Sequence, residues 1–350
     1  MPFPHTIARD DMYTAVSRHA LAAAAIGLGT TGALAQTGAS DLGQALIVGS
    51  DGQVSGILAD ELDTPRGTAL APDGTFFVSV TGGLGGADGF VLRVNPDGSS
   101  APFVSGISPF DLEIGPGGDL FISDASADNI LRVPTSGPDE GIVSVFTSGF
   151  TPSGLGFAPN GSLYAGMQPD DPSIPGSGGL AEVLPDGTNR QVGILDSPFD
   201  VQVDANGNVF ANNGVGFPFD GEIAFFPGLG AVDADVPDEP LPSTTFSPTG
   251  IRGLGIGPVG TSIEDQIFAT TADFTVVVFD PFDPDAFDPT DLGTIFAGPP
   301  ISDIEDPFAF DIQFLPGGDF QLLISTDDII PEPAGIGLFA LGGLILRRRR

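Results

Sequence analysis

The chain contains no cysteine and no tryptophan, and its 350 residues include no lysine and only two histidines, His5 and His19. Each absence removes a chemistry. Without cysteine there is no thiol nucleophile and no disulfide to staple the fold, so stability has to come from a buried core. Without lysine there is no Schiff base. Both histidines lie near the N terminus, so the body of the chain has no imidazole, and every Ser-His-Asp, Cys-His and zinc-histidine scheme is excluded. Cations are scarce as well: 11 Lys and Arg face 46 Asp and Glu, a formal net charge of −35. Such a surface repels nucleic acid and anionic lipid and attracts divalent cations. At 41% hydrophobic residues, the chain is too apolar for charge-driven disorder.

The two ends read as targeting segments. Arg18 and His19 precede an apolar stretch from Ala20 to Leu28, and Ala33-Leu34-Ala35 supplies small residues at a cleavage site. That pattern is a secretory signal peptide over 1–35, leaving Gln36 first in the mature chain, with Met12 as an alternative start. At the other end, Pro331-Glu332-Pro333 precedes an apolar run from Ala334 to Leu346 and then Arg347, Arg348, Arg349 and Arg350. The prolines break a helix, and the run is about 20 Å long as a helix, extended if Ile329 and Ile330 join it. The arginines would stay on the cytoplasmic side. This tail resembles the PEP-CTERM sorting signal of Gram-negative envelope proteins, with an ordinary tail anchor as the alternative. The resemblance implies export, membrane contact through a C-terminal transmembrane helix, processing by an exosortase-type partner, and delivery to the cell surface or extracellular matrix.

Between the ends one pattern recurs. It reads TPRGTALAPDGTFFVSV from Thr64, SPFDLEIGPGGDLFISD from Ser108, TPSGLGFAPNGSLYAG from Thr151 and SPFDVQVDANGNVFANN from Ser197. A worn copy begins at Gly250, and DPFAFDIQFLPGGDFQLLIS begins at Asp306. A proline opens an inner strand, apolar residues alternate, and a Pro-Asp-Gly or Asn-Gly turn reverses the chain into an apolar second strand. Third and fourth strands follow in most copies, and a period of about 40–60 residues is that of propeller blades. The expectation is an all-β, six-bladed β-propeller of four-stranded blades over 44–328. The last copy holds only two strands, so the segments at Ala45–Val48 and Val54–Leu58 should complete it and close the ring. The sequence then divides into signal peptide, propeller and a sorting signal over 329–350.

These copies resemble the NHL and gluconolactonase-like propellers. In the lactonase branch, the resemblance implies a calcium ion at the channel mouth, held by Glu, Asn and Asp placed just after the opening proline. Here the matching positions carry Arg66, Phe110, Ser153, Phe199, Arg252 and Phe308, which cannot make an oxygen-ligated site. Asp111, Asp200 and Asp311 stand close by, either as a shifted metal site or as hydrogen-bonded structural residues. Arg66 and Arg252 could clamp a carboxylate or sulfate at the mouth, or pair with neighbouring carboxylates. Asp280, Asp283, Asp285 and Asp288 lie in a segment that either holds calcium or forms a solvated loop stiffened by Pro281, Pro284 and Pro289. Phe282 and Phe287 in the same segment would make a sticky patch.

The leading expectation from sequence is an exported, non-enzymatic binding or structural module with no catalytic residues assigned, candidate channel residues Arg66, Arg252, Asp111 and Asp200, and an envelope or matrix component as partner. The alternatives are a calcium-dependent, gluconolactonase-like hydrolase with a rearranged carboxylate site, and an accessory propeller similar to scytonemin-biosynthesis proteins.

Overall fold

The computed structural model describes residues 42–48, 54–81, 89–171, 174–214, 221–232, 240–242, 244–246, 251–261, 263–271, 276–281, 294–297, 309–315 and 321–326. Every regular element among them is a β-strand. The turns explain the local folding. In the hairpins at Asp73-Gly74, Asn160-Gly161 and Asp186-Gly187, the Asx side chain accepts the N–H two residues on, at 2.9–3.0 Å. The glycine of each turn takes a φ of 84–88°, a conformation that costs a Cβ-free residue little. Asp204 does the same job in its own hairpin turn, accepting the N–H groups of Asn206 and Asn208 at 2.8 Å.

The strands form six sheets. Their innermost strands are β3 (Pro65–Leu70), β7 (Pro109–Ile114), β11 (Pro152–Phe157), β15 (Pro198–Val203), β20 (Ile251–Ile256) and β24 (Ala309–Leu315). Each touches the innermost strands of two neighbouring sheets, in the closed cycle β3, β7, β11, β15, β20, β24 and back to β3. The ring joins through β1 (Leu42–Val48) and β2 (Val54–Asp63), which add to β25 (Gln321–Thr326) and so complete the sheet that β24 begins. Apolar clusters fill the spaces between sheets, for example Phe77, Val91, Leu112, Leu120 and Leu131. At about 25 cal/mol per Å² of apolar area removed from water, these clusters are the main stabilising contribution in a chain without cross-links.

The sheets are not the uniform four-stranded blades that the repeats suggest. After β17 (Glu222–Phe226) the chain leaves its own sheet, and Leu241-Pro242 lies parallel to β14 (Asn189–Leu195) as β18, the fifth strand of the neighbouring sheet. Only the three-residue β19 (Thr244–Phe246) returns to pair with β17. The departure is fixed by Tyr164, whose buried hydroxyl donates to the Leu229 carbonyl at 2.8 Å, and by Leu241, which joins the core around Leu180 and Phe226. The C-terminal helix expected of the tail has no counterpart among the described residues. No helix among the described residues is long and apolar enough to cross a membrane, and both the segment 1–35 and the tail 329–350 lie outside the described residues.

Every inner hairpin carries a register shift at its opening. Pro65 pairs with Val80 but Thr68 with Val78, and Pro109 with Asp124 but Leu112 with Ile122. The same irregularity recurs in the hairpins begun by Pro152, Pro198, Ile251 and Ala309. An extra residue on one strand twists it and re-aims its side chains. It falls on the residues that line the channel mouth.

Candidate functional site

Alternate inner strands carry two different dipeptides at the bulge. Strands β3, β11 and β20 carry Arg66-Gly67, Ser153-Gly154 and Arg252-Gly253, whereas β7, β15 and β24 carry Phe110-Asp111, Phe199-Asp200 and Phe310-Asp311. The register Ile312 opposite Ile324 matches Leu112 opposite Ile122. The residue equivalent to Phe110 is therefore Phe310, not Phe308, which lies outside the described residues. The repeat in the last copy misleads because its proline, Pro307, lies two residues ahead of Ala309, the position equivalent to Pro109.

The two dipeptides interlock. Each aspartate is buried and accepts a backbone N–H from the following sheet. The donors are Leu155 to Asp111 Oδ2 at 2.7 Å, Leu254 to Asp200 Oδ2 at 2.5 Å, and Thr68 to Asp311 Oδ2 at 2.6 Å. The Thr68 hydroxyl adds a second bond to Asp311 at 2.7 Å. On the other side, the aspartate backbone presses against the glycine of the preceding sheet, as Asp111 does on Gly67 and Asp200 on Gly154. Ser79 and Asn212 from second strands, and Ser153 from β11 itself, complete the lacing. Ser79 Oγ donates to the Phe110 carbonyl, Ser153 Oγ to that of Pro198, and Asn212 Nδ2 to that of Arg252. Ser153 is thus a structural hydroxyl.

The bulge brings the predicted channel residues together. Arg66, Gly67, Phe110, Asp111, Phe199, Asp200, Arg252 and Asp311 line one cavity of about 20 Å³, room for a single water. The Phe110 and Phe199 rings stack across the channel, 5.8 Å between centroids and 29° between planes. The Arg66 guanidinium lies 4.9 Å from the Phe110 ring centre, a cation–π distance. Simple strand alternation would send neighbouring residues to opposite faces; the bulge is why Phe110 and Asp111 both reach the mouth.

The carboxyls hold their protons unusually well. Burial, then the charges of Asp311 and Asp200, hold the Asp111 carboxyl well above the ordinary 3.8. Burial and Asp311 do the same to Asp200. Burial raises Asp311 to about 6, against the opposing bonds from Thr68. Glu113, two residues beyond Asp111 on β7, is pushed to about 8 by burial and by Asp311 and Asp200. Its counterparts on β15 and β24 are the neutral Gln202 and Gln313. These shifts have a stability consequence. A carboxyl whose folded pKa lies above its unfolded value contributes stability that is complete below about pH 4 and is lost as pH rises through the folded pKa. The melting temperature is expected to fall between pH 4 and 8, with steps near 6 and 8 from Asp311 and Glu113. A melting temperature that climbs over that interval would refute the assignment.

Calcium, which the lactonase resemblance implies, does not fit the described arrangement of the channel mouth. It takes six to eight oxygen ligands. The channel aspartates instead spend oxygens on backbone N–H groups, and no three acidic side chains among the described residues lie close enough together to hold a metal ion. Asp280 is exposed at the end of β22 (Val276–Phe279); Asp283, Asp285 and Asp288, with Phe282 and Phe287, lie outside the described residues.

No family model matches the chain, and no curated protein matches it. The identifications as an NHL-repeat protein and as a PEP-CTERM exosortase substrate are corrected on that finding, since neither comparison supports them. Solved structures do share the fold. A structural-genomics target classed with the gluconolactonases is 16% identical, with 81% of this chain and 92% of that one covered and a TM-score of 0.54. A gluconolactonase from Xanthomonas campestris is 17% identical over 82% and 92%, with a TM-score of 0.52. The calcium-binding protein regucalcin from Agrobacterium tumefaciens is 12% identical over 77% and 92%, with a TM-score of 0.53. The expectation of a non-enzymatic envelope module is corrected here: the solved structures that share the fold include a gluconolactonase and a calcium-binding protein. At these identities the likeness shows the fold, an antiparallel β-propeller of the gluconolactonase and regucalcin kind.

Proposed function

We propose that the protein is a gluconolactonase-type hydrolase of cyclic esters, with its reaction centre at the channel mouth. The observation that carries this reading is that three buried carboxyls line one cavity and each holds its proton above the ordinary 3.8, Asp311 to about 6. Carboxyls pushed up together in one site divide into base and acid.

The chemistry follows from that division. The water-sized cavity places a water beside Asp311. The Asp311 carboxylate takes a proton from that water as its oxygen attacks the ester carbonyl carbon, and the carbonyl π pair moves onto oxygen. The protonated Asp111 or Asp200 donates a hydrogen bond to that oxygen and then a proton to the ring oxygen as the C–O bond breaks. The product is the open hydroxy acid; the proton gained by Asp311 restores the donor, and one water has been consumed. No step is assigned to calcium. The stretch preceding Gln36 supports an exported location for this activity, and Gln36 at the N terminus of protein recovered outside the cytoplasm would mark it.

The test is hydrolysis of D-glucono-1,5-lactone followed as acid release across pH 5–9, with and without calcium chelator. Activity should rise as pH passes through about 6, where the base ionises, and decline at higher pH as the acids lose their protons. A rate equal to the spontaneous one at every pH, with or without added calcium, removes the hydrolase reading.

A further inference from the structure

We infer that Thr68 is the positioning residue that makes Asp311, rather than Asp111 or Asp200, the base of the channel mouth; this rests on the hydrolase reading for its catalytic part but not for its hydrogen bonding. The three aspartates stand at equivalent places on β24, β7 and β15, so the repeat alone gives no reason for one to act differently. What each faces on the following sheet breaks the equivalence. The matched positions just after the bulge carry Thr68, Leu112, Leu155, Val201, Leu254 and Ile312, opposite Val78, Ile122, Ala165, Ala211, Ala269 and Ile324. All are buried, and Thr68 alone among them is polar. A threonine there gives up apolar contact that the aliphatic residues keep. What it gains is a hydroxyl that donates to Asp311.

The bonding divides the three carboxyls. Asp111 accepts backbone N–H groups only, from Leu155 on Oδ2 and from Leu112 on Oδ1. Asp200 accepts the N–H groups of Leu254 and Val201 and, at 3.3 Å, the Gln202 amide, the last beyond the usual length of such a bond. Asp311 Oδ2 takes both the N–H and the hydroxyl of Thr68, at 2.6 and 2.7 Å, while Oδ1 takes the Ile312 N–H. A carboxylate oxygen has two lone pairs, so Oδ2 is filled and Oδ1 keeps the pair that can accept a proton from water. Donors to the ionised form favour it: burial pushes Asp311 up, and the Thr68 bonds hold it down, to about 6. The charges around it do not make the distinction. Arg66 from β3, Arg252 from β20, Asp111 and Asp200 stand around one cavity shared by all three aspartates, and Glu113 feels the fields of Asp311 and Asp200 alike. β25 and β21 (Ile267–Thr271), also packed on β24, bring no ionisable residue. The hydroxyl reaches Asp311 alone.

The test is an NMR titration of the full protein with carboxyl-labelled aspartate, read beside the pH profile of lactone hydrolysis. Asp111→Asn, Asp200→Asn and Asp311→Asn assign the three signals. In the parent, Asp311 should ionise first of the three. Thr68→Val keeps the shape and the N–H but loses the hydroxyl. Its Asp311 titration and the rising limb of kcat should move up together by about one pH unit, with KM unchanged because Thr68 touches no substrate. Thr68→Ser should return both to the parent's values. A merely structural hydroxyl would lower the melting temperature and leave the titration and the limb in place. Asp111 or Asp200 ionising first would overturn the inference, and that outcome is read from the parent even if the valine variant does not fold. An Asp311 titration that Thr68→Val leaves unmoved would overturn it too. If the parent hydrolyses no lactone, the hydrolase reading falls and the carboxyl titration alone decides.

Discussion

Gly154→Ala is expected to cost about 3 kcal/mol or more of stability, enough to leave a marginal domain largely unfolded. The reason is the closeness of two backbones rather than an unusual dihedral. A Cβ at Gly154 would lie within 3.0 Å of Asp200 Cα, Asp200 C and Val201 N. Those atoms belong to the bulge that β15 presents to β11, and no rotamer change can move them. To make room the two sheets would have to separate. That would stretch the Ser153 hydroxyl bond to the Pro198 carbonyl, 2.6 Å in the native ring. The control is Gly117→Ala in the turn after β7. A Cβ there meets nothing within 4 Å, so its effect should stay within about 0.5 kcal/mol. Urea unfolding of the two variants beside the parent measures both. If Gly154→Ala melts with the parent, the sheets are not locked together at these glycines.

The all-β architecture and the hairpin turns were legible because Asx-Gly pairs and alternating apolar residues act locally. Asp73-Gly74 and Asn160-Gly161 report their own turns without reference to anything distant. The residues of the mouth were legible as positions but not as partners. Arg66, Phe110, Ser153, Phe199 and Arg252 stand at matched places in the repeat, yet what Asp111, Asp200 and Asp311 do depends on a bulge that strand alternation does not predict. A signal was present all the same: glycine and aspartate alternate from copy to copy at one position, Gly67, Asp111, Gly154, Asp200, Gly253, Asp311. Small residue followed by carboxylate, three times around the ring, is the mark of side chains reaching across sheets. The fifth strand was illegible for a different reason. Leu241-Pro242 is too short to show any period, and its place is set by Leu229 and Tyr164 far away in sequence.

Asp311→Asn is expected to lower lactone hydrolysis by about 10² to 10⁴-fold, the usual loss for a general base, and to erase the rising limb near pH 6. The fold should survive at a cost. Asp311 accepts three donors: the N–H and hydroxyl of Thr68 on Oδ2, and the Ile312 N–H on Oδ1 at 2.7 Å. An asparagine has only one acceptor oxygen. If that oxygen turns to Thr68, the amide NH₂ faces the Ile312 N–H, and one buried donor goes without a partner, at about 1–3 kcal/mol. Alanine at the same position leaves both backbone donors unpartnered, so it should destabilise further while losing no more activity than asparagine does. That contrast separates the two roles of one side chain. Stability should fall in the order Asp, Asn, Ala, because it counts acceptors; activity should fall once, between Asp and Asn, because only a carboxylate takes the proton. Asp311 is also the negative charge that acts most strongly on Asp111, Asp200 and Glu113. Its removal should therefore let those three ionise at lower pH and flatten the fall of melting temperature towards pH 8. A variant that keeps full activity would show that the base is elsewhere. One that loses activity with the pH–stability curve unchanged would show that Asp311 does not share a field with its neighbours.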